Sequence, residues 1–182
     1  LRSILKNAGS VFARGSLQAM GMSDLQNPFA RLVRPKMDRE PFLAPPRSWI
    51  MQLMRRGSKE LRGEPRLAFV LALGAGLRWG EISSLTWEDV QRQNVRVAAT
   101  KAKGRRARVI PIGRMVREVL GPARGQGAII RLETKQVHET LCAWLRVQGV
   151  KDAKPVHYLR KCYGSLAVGD HGIYVASKLL GH

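Results

Sequence analysis

Two short patterns near the end of the chain carry residues able to hold and polarise an oxyanion: His157-Tyr158-Leu159-Arg160, and Leu180-Gly181-His182 some twenty residues on. His157 and Arg160 are three positions apart, so at the start of a helix they share a face and can converge on one phosphate. Far upstream, Arg78 follows an apolar run and the turn Gly74-Ala75-Gly76. A long cation is not needed there for solubility, and helix N-terminal N–H groups could join it in facing an anion. A guanidinium suits such a task because its planar fork can hold two non-bridging oxygens and keeps its charge near neutral pH. The plain alternative for Arg78 is one surface arginine among 32 Lys and Arg. Glu81 reads equally as a carboxylate supporting Arg78 and as an exposed helical glutamate.

A fourth group of interest is the basic stretch Lys101-Ala102-Lys103-Gly104-Arg105-Arg106 between two β-branched runs. Arg105, Arg106 and Arg108 could lower the pKa of a lysine there toward the working pH. The competing reading is a solvated basic turn whose Lys101, Arg105 and Arg106 touch phosphates without doing chemistry. His138 and His171 stand outside any pattern and read as structural, and Leu85 and Trp87 read as core. Cys142 and Cys162 are isolated thiols without CxxC spacing, so neither a metal site nor a disulfide framework is expected, and no cofactor.

The charge balance is +19, from 32 Lys and Arg against 13 Asp and Glu, with 45% apolar residues. A chain of this kind can fold and seeks a polyanion. Charge alone does not separate DNA, RNA and an anionic membrane surface. The longest apolar run, Leu67 to Leu77, spans 11 residues, well short of the ~20 that cross a bilayer. The first residues carry neither an initiator Met nor the order of a secretory signal, so the start is expected to be a fragment boundary, and a reducing cytoplasm fits best.

The elements that must position these groups follow from periodicity and punctuation. Leu1, Ile4, Leu5, Ala8, Val11 and Phe12 recur at helical spacing. Four prolines or proline pairs between Asn27 and Pro46 then favour an extended connection. Trp49, Ile50, Leu53 and Met54 predict a short amphipathic helix closed by Gly57. Pro65 suits a first turn, and Leu67 to Leu73, apolar on every side, predicts a central buried helix ended by Gly74-Ala75-Gly76. Val95-Arg96-Val97 and Arg108-Val109-Ile110-Pro111-Ile112 predict a β-hairpin with a cationic tip. Further helical faces come after it: Val116, Val119 and Leu120, stopped by Gly121-Pro122; Val137, Leu141, Trp144, Leu145 and Gln148, ending at Gly149; Leu159, Cys162 and Leu166; and Ile173, Ala176, Leu179 and Leu180, ending at Gly181. The expected fold class is α+β, mainly α, with one small antiparallel sheet.

Taken in order, these segments resemble the tyrosine recombinases of the phage-integrase family. Gly76-Leu77-Arg78 through Glu81 and Leu85, with Trp87-Glu88-Asp89 after it, is similar to the family's first conserved box. The hairpin resembles the one that carries the family's lysine, and the two histidine patterns resemble its H-x-L-R and L-G-H boxes. A departure is Lys161-Cys162, where the family usually has His-Thr after the arginine. The resemblance spans roughly Ala44 to His182. It implies the DNA breaking-rejoining fold, with residues 1–30 as the last part of a core-binding domain, 31–45 as a linker and 46–182 as the catalytic domain.

The resemblance also implies roles. Arg78 and Arg160 would neutralise a pentacoordinate phosphorane, His157 and His182 would donate hydrogen bonds or manage protons, and Lys103, with Lys101 as the alternative, would protonate the leaving 5′-oxygen. The reaction would be site-specific recombination or integration of double-stranded DNA through a 3′-phosphotyrosyl link, which conserves bond energy and needs neither ATP nor metal. The family's nucleophilic tyrosine comes after the Leu-Gly-His box, whereas Tyr158, Tyr163 and Tyr174 all precede it. The expectation is therefore a chain that binds DNA but lacks the attacking tyrosine, with self-association on DNA through a segment beyond His182. A DNA-binding remnant or regulator without chemistry is the alternative, and a basic RNA-binding domain would explain the charge but not the ordered boxes.

Overall fold

The computed structural model describes residues 19–21, 42–100, 107–121 and 126–181. All but the first three belong to the second of two units into which the chain divides, Phe42–His182. The opening apolar helix expected over Leu1 to Phe12 and the proline-rich connection up to Pro41 lie outside the described residues.

Helices and one hairpin run in the order α1 (Arg47–Glu60), α2 (Gly63–Gly74), α3 (Trp79–Ser83), a 3₁₀ turn (Trp87–Asp89), β1 (Asn94–Val97), β2 (Arg108–Pro111), α4 (Arg114–Leu120), α5 (Thr134–Val147) and α6 (Pro155–Leu180). The mainly helical α+β class expected from the sequence is what the chain adopts. The axis of the fold is α2, which packs against α1, α4, α5 and α6. Its residues Ala68 to Leu73 are all buried, as a run without a polar stripe requires. At its end Gly76 turns with φ +62°, and the Leu77 N–H reaches back to the Leu71 carbonyl at 3.2 Å. That turn aims the next residue, Arg78, out of the core.

Gly57 does not close α1 as its sequence position suggests. The helix runs through it to Glu60, because the missing side chain is needed for packing: a Cβ at Gly57 would lie 2.3 Å from the Phe69 ring. Ile173 also departs from expectation. Helical spacing puts it on a buried face with Ala176, yet it is 77% exposed. The cause is Gly172, whose φ of +78° breaks α6 and rotates its last two turns.

The hairpin pairs antiparallel with Val95 opposite Ile110 and Val97 opposite Arg108. Val95, Val97 and Ile110 face the core while Arg96 and Val109 face solvent, the period-two alternation of a half-buried sheet. By that alternation Arg108, two before Ile110, falls on the core side. No helix among the described residues is long and apolar enough to cross a membrane.

Candidate active site

The site is assembled around one buried carboxylate. Glu81, in α3 one turn after Arg78, is only 2% exposed. Its Oε2 accepts the Arg78 backbone N–H at 2.9 Å and its Oε1 accepts Arg78 Nη1 at 3.0 Å. Arg108 adds a forked pair, Nη1 to Oε1 at 3.0 Å and Nη2 to Oε2 at 2.8 Å. Arg160, from the second turn of α6, brings Nη1 to 3.9 Å from Oε2, and its guanidinium is held by the carbonyls of Gly76 and Leu180. Burial by itself would raise the Glu81 pKa, but the hydrogen bonds from Arg108 and Arg78 outweigh it and hold the carboxyl below the ordinary 4.5. Burial, with Arg78 nearby, pushes Arg160 down to about 10, which leaves it charged at neutral pH.

Above this cluster lies a concavity of about 300 Å³ lined by Arg78, His157, Arg160 and Lys161, with Phe42, Gly164 and Leu180 completing its wall. Three of the five catalytic candidates therefore meet in one cavity, although Arg78 and Arg160 are 82 positions apart in the chain. Lys101, Lys103, Arg105, Arg106 and His182 lie outside the described residues. A wider groove of about 620 Å³ shares Arg78 and His157 and continues along α5, past Trp79 and His138, to Arg146 and Lys154. The rim shared by the two is cationic, and an extended polyanion could lie along both.

His157 stands where the two concavities meet. The ring is exposed, but partial desolvation by its neighbours, and then the charges of Lys161 and Arg160, lower its pKa from 6.5. The imidazole is thus neutral at pH 7 and can donate one hydrogen bond while its other nitrogen accepts. A folded-state pKa below the unfolded one means that protonation opposes folding. The contribution to stability is intact above 6.5 and is lost as pH falls below it. Titration of the ring by NMR should give a midpoint under 6.5 in the free chain, moving up when an anion occupies the cavity. A midpoint above 6.5 without ligand would contradict this electrostatic account.

Sequence reasoning missed two cations. Lys161, at the departure from the family pattern, lines the cavity, with its ammonium 2.8 Å from Asp152 Oδ2 and 5.2 Å from the centre of the Phe42 ring. The sequence offers Arg108 as one of several charges tuning a lysine, whereas its guanidinium is committed to Glu81. A signal for it existed: an arginine in core register with Ile110 and Ile112 needs a buried carboxylate to receive it. His138 reads as structural, and it does pack, edge-on to Trp79 at 4.8 Å, but it also forms part of the groove wall.

The three tyrosines stand away from the cavity lining. Tyr158 packs edge-on against Phe42 and Trp49, and burial together with Cys162 pushes its hydroxyl up to about 12. Tyr163 lays its ring against Gly76. Tyr174 is 70% exposed, with the Lys178 ammonium over its ring.

The sequence profile of the Phage integrase family matches residues 48–182 of this chain. The chain belongs to that family. Tyrosine recombinase XerC of Neisseria meningitidis serogroup C is 27% identical over 173 residues, an alignment covering 86% of this chain and 56% of the relative. The chain thus spans about half the length of the curated relatives it matches. Among solved structures, the catalytic domain of bacteriophage HP1 integrase superposes with a TM-score of 0.62 at 20% identity, covering 78% of this chain and 82% of that one. A lambda integrase dimer bound to a COC′ core site gives 0.67 at 18% identity over 100% and 71%. These likenesses establish that the chain has the fold of integrase catalytic domains.

Proposed function

We propose that residues 46–182 form the phosphate-holding catalytic domain of a site-specific DNA recombinase, which cuts and rejoins strands through a 3′-phosphotyrosyl intermediate. The observation that carries this reading is the single cavity in which Arg78, His157 and Arg160 converge. Two guanidiniums fixed by protein acceptors, and so needing no reorganisation when charge develops, suit a pentacoordinate phosphorane. The neutral His157 beside them can donate to a non-bridging oxygen or pass a proton. Lys103 or Lys101 would protonate the 5′-oxygen as it leaves, and His182 would join the phosphate shell. The groove that runs on to Arg146 and Lys154 offers a track for flanking phosphates, with Lys101, Arg105 and Arg106 as further contacts. The structural neighbours support the DNA assignment, since lambda integrase has been solved as a dimer on a core site and as a tetramer on a Holliday junction.

That none of the chain's three tyrosines lines the cavity supports a nucleophile supplied by a different tyrosine. Incubated with a nicked suicide duplex, the 182-residue polypeptide should bind without forming a phosphotyrosyl adduct. Its duplex affinity should fall steeply with salt, and Arg78→Ala should lower affinity on every sequence and reduce the salt slope by about one. A covalent adduct would overturn the nucleophile assignment. Duplex binding indifferent to Arg78→Ala would overturn the phosphate-holding role.

A further inference from the structure

Arg108 opens β2 on the core side of the hairpin, and its side chain is 8% exposed. Besides the fork on Glu81, its Nε donates to the Leu179 carbonyl at 2.9 Å. Its guanidinium also lies against Gly181, where an added Cβ would come within 3.1 Å of Nη1. One side chain therefore ties the hairpin to α3 and to the end of α6. These three places lead directly into the basic tip, Arg78 and His182.

The hydrogen-bonding capacity of Glu81 gives this contact a second meaning. A carboxylate accepts about four hydrogen bonds, and here the Arg78 backbone, Arg78 Nη1 and the two Arg108 donors fill them. Arg160 is left at 3.9 Å, outside hydrogen-bond range, and Arg78 is engaged by Nη1 alone among its side-chain donors. Without Arg108 the buried carboxylate would have two open positions beside two guanidiniums, and attraction in a site screened from water is strong.

We propose that Arg108 is a positioning residue that saturates Glu81, so that Arg78 and Arg160 stay free to face a phosphate in the cavity instead of turning onto the carboxylate. This rests on the phosphate-holding reading above. The test titrates the chain with inorganic phosphate and follows the Nε–H resonances of Arg78 and Arg160. Arg108→Met keeps a long apolar stem without the charge and should weaken phosphate binding about tenfold, the scale of one lost charge-assisted hydrogen bond. Adding Glu81→Gln to it removes the competing charge while keeping an acceptor for the Arg78 backbone, and should restore affinity to within about threefold of the parent. A role confined to holding the fold would show no such recovery.

Phosphate binding by a folded Arg108→Met chain equal to that of the parent overturns the proposal, as does a folded double variant that stays weak. If Arg108→Met does not fold, Arg108→Lys carries the test. An ammonium cannot fork across both oxygens, so a loss of about threefold that Glu81→Gln reverses is expected, and no loss overturns it. Should the parent chain show no phosphate response at Arg78 or Arg160, the phosphate-holding reading falls and takes this inference with it. A parent that binds while the Arg108 variants are indifferent removes only the inference.

Discussion

Replacing Glu81 with alanine is expected to destabilise the fold by about 3–5 kcal/mol, the range for removing one partner of a buried ion pair. The cost is electrostatic, not volumetric. Arg108 and Arg160 are 8% and 4% exposed at their side chains, and each sits within 4.0 Å of the carboxylate that offsets it. With Glu81 gone, two buried guanidiniums and a third beside them repel one another with no anion between them. Against a typical total of about 5–15 kcal/mol, that loss is large enough to leave part of the population unfolded. Glu81→Gln should cost less, since it retains an acceptor for the Arg78 N–H. Urea unfolding at neutral pH checks both, and a loss below about 1 kcal/mol for the alanine variant would contradict the account.

The same network fixes how stability responds to acid. The Glu81 pKa lies below its ordinary 4.5 in the folded chain, so the unfolded state takes up a proton first as the solution is acidified. The contribution of the carboxylate is complete above 4.5 and is lost as pH falls through the lower folded value. The stability gap between the parent and Glu81→Gln should therefore be constant from neutral pH to about 5 and shrink below it.

The sequence is most legible where a residue's neighbours in the chain decide its fate. Leu67 to Leu73 has no polar side to show to water, so a central position for α2 follows from composition alone. Val95, Val97 and Ile110 alternate with polar or exposed positions, and the hairpin follows in the same way. Arg78, His157 and Arg160 stand out by type, spacing and resemblance, and the fold brings them to one cavity. Hidden features depend on contacts between distant segments. Gly57 looks like a helix stop until the Phe69 ring is found against it. Glu81 reads equally as buried or exposed until Arg108 arrives from the hairpin, 27 positions away. Ile173 fits a helical face in sequence, and only the left-handed φ of Gly172 moves it off that face.

Gly76→Ala should be the most damaging single-methyl change near the site, with an expected cost of about 2–5 kcal/mol from two sources. At φ +62° the left-handed conformation costs an L-residue about 1–2 kcal/mol. The added Cβ would also lie 2.2 Å from Cδ1 of Tyr163, an overlap that forces the packed ring or the turn to move at about 1–3 kcal/mol. The turn is not free to move without consequence, because the Gly76 carbonyl accepts a hydrogen bond from Arg160 Nη1 and Arg78 follows only two positions later. A shift that relieves the ring therefore misplaces both arginines at once, and phosphate affinity should fall together with stability. Pairing Gly76→Ala with Tyr163→Leu separates the two sources, since a smaller side chain removes the collision but leaves the backbone penalty. Read from denaturant midpoints of both single variants and the double, the methyl should cost at least about 1 kcal/mol less in the Tyr163→Leu background than in the parent. Equal costs in the two backgrounds would mean that the Tyr163 ring yields freely, and that the left-handed turn alone is why glycine stands before Leu77-Arg78.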